Sequence, residues 1–377
     1  MARYVCAEEV VAPGGIVSGG WVAVDEGRIT AVGDGAPPAG AGDEVDRVEG
    51  TVVPGFVDLH CHGGGGAAYT SADPEQILTA AQTHLRHGTT TTNASLVSAT
   101  LEDLTAQIEA LIPFVDDGTI HGIHLEGPWI SPEYCGAHDP ATLRPPDPSE
   151  VAEVLAAGGG RIAMVTLAPE LPGALESIPL IVEAGGIAAV GHTASDADQA
   201  RAAVDAGAAV ATHLFNAMPP LLHRAPGPVG ALMSDPRVVV ELICDGVHLS
   251  PDVVALAMGA ASGRCALITD AMSAAGAADG EYLIGNLDVI VRDGEARLAT
   301  NGSLAGSTLL MGAAVRTAAI AAGRGIEQAS RAASAVPAMA LGLGDRGRLE
   351  PGLRADLVCL DDDLRVTRVM RAGHWVT

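Results

Sequence analysis

Through the middle of the chain, short β-branched and aliphatic runs alternate with longer alanine-rich stretches of helical period. The runs fall at residues 52–60, 89–96, 120–126, 162–167, 187–192, 208–213, 238–244 and 265–270, and five of them close on a histidine or a carboxylate. The helical stretches that follow begin near Pro74, Leu101, Ser149, Pro172, Ser195, Gly227, Pro251 and Ser307. Asp73-Pro74, Ser195-Asp196 and Ser250-Pro251 are helix-start signals: an oxygen able to cap free N–H groups, or a proline whose ring suits the first turn. Strand-then-helix units repeated in this way predict a closed (β/α)8 TIM-like barrel, an α/β fold, rather than an open sheet.

The two ends read differently. Trp21-Val22-Ala23-Val24, the turn Asp25-Glu26-Gly27 and Arg28-Ile29-Thr30-Ala31-Val32 predict a hairpin, and the stretches 355–360 and 366–374 repeat that style. A small β-sandwich assembled from both ends, residues 1–53 and 345–377, is expected beside a barrel of residues 54–344.

Composition narrows the chemistry. Of 377 residues 48% are hydrophobic but only 3% aromatic, so small aliphatic side chains must fill the core. All 21 basic residues are arginine. A phosphate-loop lysine, a Schiff base and a carbamylated-lysine metal bridge are therefore excluded. The formal charge of -25 argues against nucleic acid or an anionic membrane as partner and fits a solubilising surface. No apolar run reaches the ~18 residues of a membrane span. The N-terminal residues meet Glu8 and Glu9 before any apolar stretch, unlike a secretory leader. Six cysteines stand without metal or redox spacing, which fits a reducing cytoplasm.

Candidate ligands sit where the runs end. His60 and His62 close the first, Glu126 the third, His192 the fifth, His213 the sixth and Asp270 the eighth. Barrel strands converge at their C-terminal ends, so these six groups are expected to meet at one mouth. Imidazole and carboxylate suit zinc first and iron second. In His60-Cys61-His62 the period of two puts both imidazoles on one side and turns Cys61 into the wall. His124, two residues before Glu126, faces the same side and is a candidate supporting partner. His84, His87, His121 and His374 read as ordinary surface, helix-end or strand residues.

These residues also carry a resemblance. Val53-Pro54-Gly55-Phe56-Val57-Asp58-Leu59-His60-Cys61-His62 resembles the first-strand signature of the amidohydrolase superfamily. His124-Leu125-Glu126-Gly127-Pro128, Gly191-His192-Thr193, His213-Leu214-Phe215-Asn216-Ala217-Met218, Asp245-Gly246-Val247-His248 and Thr269-Asp270-Ala271-Met272 are similar to its N-acetylglucosamine-6-phosphate deacetylase family, in order along nearly the whole chain.

The resemblance implies a divalent metal on Glu126, His192 and His213. A second ion on His60 and His62, bridged by Glu126, is chemically open. It implies Asp270 as the proton acceptor and donor of amide hydrolysis, and His138, in Gly136-Ala137-His138-Asp139, as a stabiliser of the developing oxyanion. Asn216, Ala217, His248 and Arg224 match substrate-phosphate contacts, the arginine coming from the neighbouring subunit of a homodimer. Leu304 belongs to a turn lying over the acetyl group. The implied substrate is an amino-sugar phosphate, N-acetylglucosamine 6-phosphate, with its galactosamine epimer or another N-acyl compound as alternatives. Cys135 departs from the family pattern; on a Pro- and Gly-flanked loop it is a candidate lid cysteine.

Overall fold

The computed structural model describes residues 2–377. Eight parallel strands, in chain order, form one sheet: Phe56–Asp58, Thr89–Leu96, Gly122–Glu126, Ile162–Leu167, Ile187–Val190, Val210–Ala211, Val239–Ile243 and Cys265–Ile268, numbered here 1 to 8. The sheet closes just past the ends of strands 8 and 1. There the Asp270 amide donates to the His60 carbonyl at 2.9 Å, and the His62 amide to the Ala271 carbonyl at 2.8 Å. Below that seam, Asp58 accepts from the Thr269 hydroxyl at 2.6 Å. The expected barrel is present.

The outer helices start where the capping chemistry placed them. Helix α1 (Pro74–Arg86) is capped by Asp73, and α2 (Leu101–Asp116) by Thr100. After α3 (Pro148–Gly158) and α4 (Ala174–Glu183), α5 (Ala197–Ala206) opens on a full capping box between Asp196 and Gln199. Helices α6 (Gly227–Ser234), α7 (Pro251–Ala260) and α8 (Met311–Arg316) complete the ring. Ile178, Ile181, Val254, Ala257 and Val315 bury against the outside of the sheet. Among the described residues no helix is long and apolar enough to cross a membrane.

The first apolar run divides between two layers. Thr51–Pro54 is a strand of a six-stranded sheet, and only the next three residues enter the barrel. Thr51–Pro54 pairs with Leu357–Leu360 on one side and Glu9–Ala12 on the other, joining both chain ends. A four-stranded sheet containing Arg3–Cys6 and Gly20–Asp25 faces it. Val5, Val22, Val24, Ile29, Leu357, Cys359 and Met370 fill the space between. The small domain is a sandwich. Gly55 marks the crossing: its amide donates to the Asp356 carbonyl at 2.9 Å, and a Cβ there would lie 2.7 Å from the Asp356 Cβ and hard against the Thr90 hydroxyl.

A third layer lies outside the eight-unit pattern. Gly280–Ile284, Leu287–Arg292 and Glu295–Leu298 form an antiparallel sheet over the barrel mouth. Its core joins Ile284, Val289 and Val291 to Val97 and Met272, with Ala137 packed alongside.

His84 departs from the surface or helix-end expectation. It is fully buried on the inner stripe of α1 with Ile77, Ala80 and Ala81. Its Nε2 is 2.8 Å from the Gly63 carbonyl and 3.2 Å from Cys61 Sγ, so Cys61 points into the wall as expected. Asp58, Cys61 and His84 bring ligand atoms within 4.8 Å of one another, yet hydrogen bonds within the protein already engage each of them.

Two outcomes test this frame. Gly55→Ala should overpack the junction and cost about 1–3 kcal/mol, read as a lower unfolding midpoint. Burial lowers the His84 imidazole to about 4 despite its bond to Gly63. From about pH 6.5 down to 4 the unfolded chain then binds a proton that the folded chain refuses. Stability should therefore fall with acidification across that window, by about 3 kcal/mol from this group. Denaturation of chelator-treated protein across this range should show a shallower slope for His84→Gln.

Candidate active site and metal centre

The strand-end residues do converge. Glu126, the last residue of strand 3, is buried with its two carboxylate oxygens facing opposite ways. Oε1 lies 3.1 Å from His192 Nε2 and 3.0 Å from His213 Nε2. Oε2 lies 3.2 Å from His62 Nε2, 3.4 Å from His60 Nε2 and 3.3 Å from His138 Nε2. Asp270 completes the ring, its Oδ1 3.4 Å from His60 Nε2 and 3.3 Å from His62 Nε2. Burial alone would raise the Asp270 carboxyl, but the charge of His60 and the hydrogen bond from His62 outweigh it and hold the group below its ordinary range. Burial is likewise outweighed at Glu126, by His60 first and then by bonds from His138 and His192.

Backbone geometry at the mouth is strained. His192, His213 and Asp270 have φ of 45°, 29° and 47°, in the left-handed region that side chains other than glycine's avoid. Phe215 and Ala217, just after strand 6, share it at 79° and 51°. Strain of order 1–3 kcal/mol per residue survives only where surrounding contacts impose it.

The donor set suits a cation. His60 and His62 hold their Nε2 atoms 2.9 Å apart, and His192 and His213 hold theirs 3.1 Å apart. Nitrogen lone pairs face each other at such distances only with a proton or cation between them. The far side of two rings says which. His62 Nδ1 lies 3.2 Å from the Ser95 carbonyl and His192 Nδ1 2.8 Å from the Tyr134 carbonyl. A carbonyl only accepts, so both Nδ1 atoms carry a proton, and each Nε2, on giving up its own, turns a lone pair toward a cation. Imidazole nitrogens with one bridging carboxylate fit a divalent transition metal.

His138 has the opposite tautomer. The Ser98 amide donates to its Nδ1 at 3.1 Å, so its proton sits on Nε2, aimed at Glu126 Oε2. Burial outweighs the pull of Glu126 and lowers this imidazole to about 4, leaving it a neutral donor near pH 7. Its loop is tied down on both sides. The Ser131 amide donates to the His192 carbonyl at 2.8 Å, and Asn286 of the three-stranded sheet donates to Asp139 at 2.7 Å.

Around the ring lies a small cavity of about 150 Å³. His62, Glu126, His192, His213 and Asp270 line its floor. Ala137, His138, Asn216, Ala217, His248 and Leu304 line its walls. His248 Nδ1 is 2.6 Å from Asp245 Oδ2; burial disfavours the charged ring, but Asp245 outweighs it and raises the group above its ordinary value. Two further candidate residues do not line the cavity. Arg224 is exposed on the loop before α6 and does not line this cavity, nor does half-buried Cys135. His124 reaches Ser95 and Thr166 at 2.9 Å each and stacks edge-on to His60, supporting the floor from beneath without bonding Glu126.

Three residues here went unread in the sequence. Ile284 lines the cavity from the three-stranded sheet, which Gly285-Asn286 and Asp293-Gly294 signal as two-residue hairpin turns between alternating apolar residues. Ser98 orients His138 from a loop that carries no pattern. Glu241 is a charged residue inside the apolar run of strand 7 and lies beneath His60 and His213.

Known proteins agree with this architecture. The chain matches the amidohydrolase family over residues 51–376. It is 37% identical to an N-acetylgalactosamine-6-phosphate deacetylase of Escherichia coli O157:H7, with 86% of this chain and 87% of the relative covered. It is also 37% identical to the N-acetylglucosamine-6-phosphate deacetylase of Bos taurus, covering 86% and 83%. Among solved structures, an aspartate-to-alanine mutant of N-acetyl-D-glucosamine-6-phosphate deacetylase from Mycobacterium smegmatis, in complex with N-acetyl-D-glucosamine-6-phosphate, superposes with a TM-score of 0.95 at 48% identity over the full length of both chains. By matched length, barrel and strand-end groups alike, this chain belongs to the amidohydrolase family.

Proposed function

We propose that this protein is a metal-dependent hydrolase that removes acetate from N-acetyl-D-glucosamine 6-phosphate. The single observation that carries the reading is Glu126, fixed among five imidazole Nε2 atoms with Asp270 beside them at the floor of a small pocket. Glu126, His192 and His213 would hold one divalent ion, zinc or iron, and His60 and His62 with the other Glu126 oxygen a second. When bound, such an ion polarises a carbonyl and lowers the pKa of a coordinated water.

The chain's own groups account for the remaining steps. Asp270 accepts a proton from the attacking water and returns it to the departing amine, which leaves poorly unless protonated. His138 donates its Nε2 proton in a hydrogen bond to the carbonyl oxygen as negative charge builds there. His248, held toward its cationic form by Asp245, and the segment at Asn216 and Ala217 offer an anion site for phosphate. Arg224 completes that site from a neighbouring copy. In support, Leu221, Leu222 and Val247 are 43%, 54% and 40% exposed close to Arg224 and His248 in the chain, apolar surface suited to a homodimer contact.

Ile284 and Leu304 form the apolar wall for the acyl group. A Cβ built on Gly306 would lie 3.0 Å from the Asp270 backbone carbonyl and 3.6 Å from Ile284 Cδ1, so the backbone of Asp270 and the Ile284 wall meet at this turn. The galactosamine epimer is the second reading, since relatives of both names match at 37% identity. The Mycobacterium smegmatis complex favours the gluco substrate.

Two measurements test the proposal. Asp270→Asn should retain metal by elemental analysis yet lose roughly 10²–10⁴-fold in acetate release. Retained activity, or no release from metal-loaded wild type with either epimer, overturns it. Ile284→Ala should raise the rate on N-propionyl relative to N-acetyl substrate by roughly ten-fold, one methylene's worth of discrimination.

A further inference from the structure

Glu241 is wholly buried on strand 7, and no step above uses it. A carboxylate taken from water into a protein interior loses several kcal/mol of hydration, so its partners matter. Its Oε2 accepts from the His213 amide at 3.2 Å and lies 3.5 Å from His60 Nδ1, while its own backbone carbonyl accepts from the Leu214 amide at 2.9 Å.

Hydrogen bonding around the metal-facing imidazoles is uneven. His62 and His192 place Nδ1 on backbone carbonyls, but His60 Nδ1 and His213 Nδ1 are buried without a hydrogen-bond partner, and so is Glu241 Oε1. Three buried orphan atoms thus fall on the two ligand histidines nearest Glu241 and on Glu241 itself. Orphans of this kind are rare in proteins and call for an explanation.

We infer that Glu241 is a positioning residue that yokes the two halves of the metal centre, accepting the Nδ1 proton of His60 while its bond to the His213 amide braces the left-handed backbone of that residue. One carboxylate then governs a ligand from each group. It holds His60 in the tautomer whose Nε2 lone pair faces Glu126 and Asp270, and keeps the end of strand 6 against strand 7. The inference rests on the metal centre proposed above. A carboxylate behind a ligand histidine raises its basicity and fixes its ring, and such partners are typically worth roughly 10–100-fold in metal affinity.

Metal-free wild type, Glu241→Gln and Glu241→Leu would be titrated with Zn²⁺ against a competing chelator, and their metal-free melting recorded. Glutamine keeps an acceptor oxygen for both N–H groups and should bind within a few-fold of wild type. Leucine should weaken binding by roughly 10–100-fold. A folded leucine variant with wild-type affinity overturns the inference, as does a glutamine variant as weak as leucine. If the leucine variant does not fold, ¹⁵N imidazole spectra of Zn²⁺-loaded wild type and Glu241→Gln decide: a hydrogen-bonded His60 Nδ1–H in both supports it, and its absence from either overturns it. Wild type that takes up no Zn²⁺ defeats the metal-centre reading instead, so the two failures are distinguishable.

Discussion

A single carboxylate, Glu126, is the group on which the rest of the mouth depends. Its two oxygens face opposite sets of imidazoles, and each set comes from different strands: His60 and His62 from beyond strand 1, His192 and His213 from the ends of strands 5 and 6. Burying that charge costs far more than an exposed ion pair returns, so it is tolerable only with cationic or hydrogen-bonding neighbours on both sides. The barrel supplies them by bringing distant strand ends together. The left-handed backbones at His192, His213 and Asp270 are part of what that convergence demands.

From this constraint the other layers acquire their places. The three-stranded sheet shields the mouth and, through Asn286 and Asp139, steadies the loop that bears His138. The Ser98 amide selects the His138 tautomer, so the histidine that donates and the histidines that offer lone pairs are separated by their hydrogen-bond partners and not by residue type. Helix α1 contributes from behind, where His84 holds the glycine-rich turn after His62 by its Gly63 carbonyl.

Much of this was legible in the sequence because several barrel strands announce themselves twice, once as apolar runs and again by the polar residue that ends five of them. His60, His62, Glu126, His192, His213 and Asp270 were all read that way; they gather at the mouth, and all but His60 line the pocket. What escaped has identifiable causes. The sequence reads residues 52–60 as a single strand, whereas Thr51–Pro54 and Phe56–Asp58 are strands of two layers divided at Gly55, close to the expected domain boundary. His84 lies on the apolar stripe of its helix, but a histidine on such a stripe is silent about whether it is buried neutral or exposed. Ile284 was missed because strand–helix repetition drew attention away from the hairpin turns at Gly285-Asn286 and Asp293-Gly294.

The shared sandwich has a consequence for how the chain acquires its shape. Thr51–Pro54 feeds directly into barrel strand 1, but its antiparallel neighbour Leu357–Leu360 is made roughly 300 residues later. At roughly 5–20 residues per second, the wait is on the order of tens of seconds. Until then the segment bearing His60 and His62 lacks one of the two flanks that set its register, and its seam with Asp270 also awaits late-made residues. Assembly of the barrel mouth thereby waits on strands made long after it, with the hairpin of Leu357–Leu360 and Val366–Arg371 serving as the clasp.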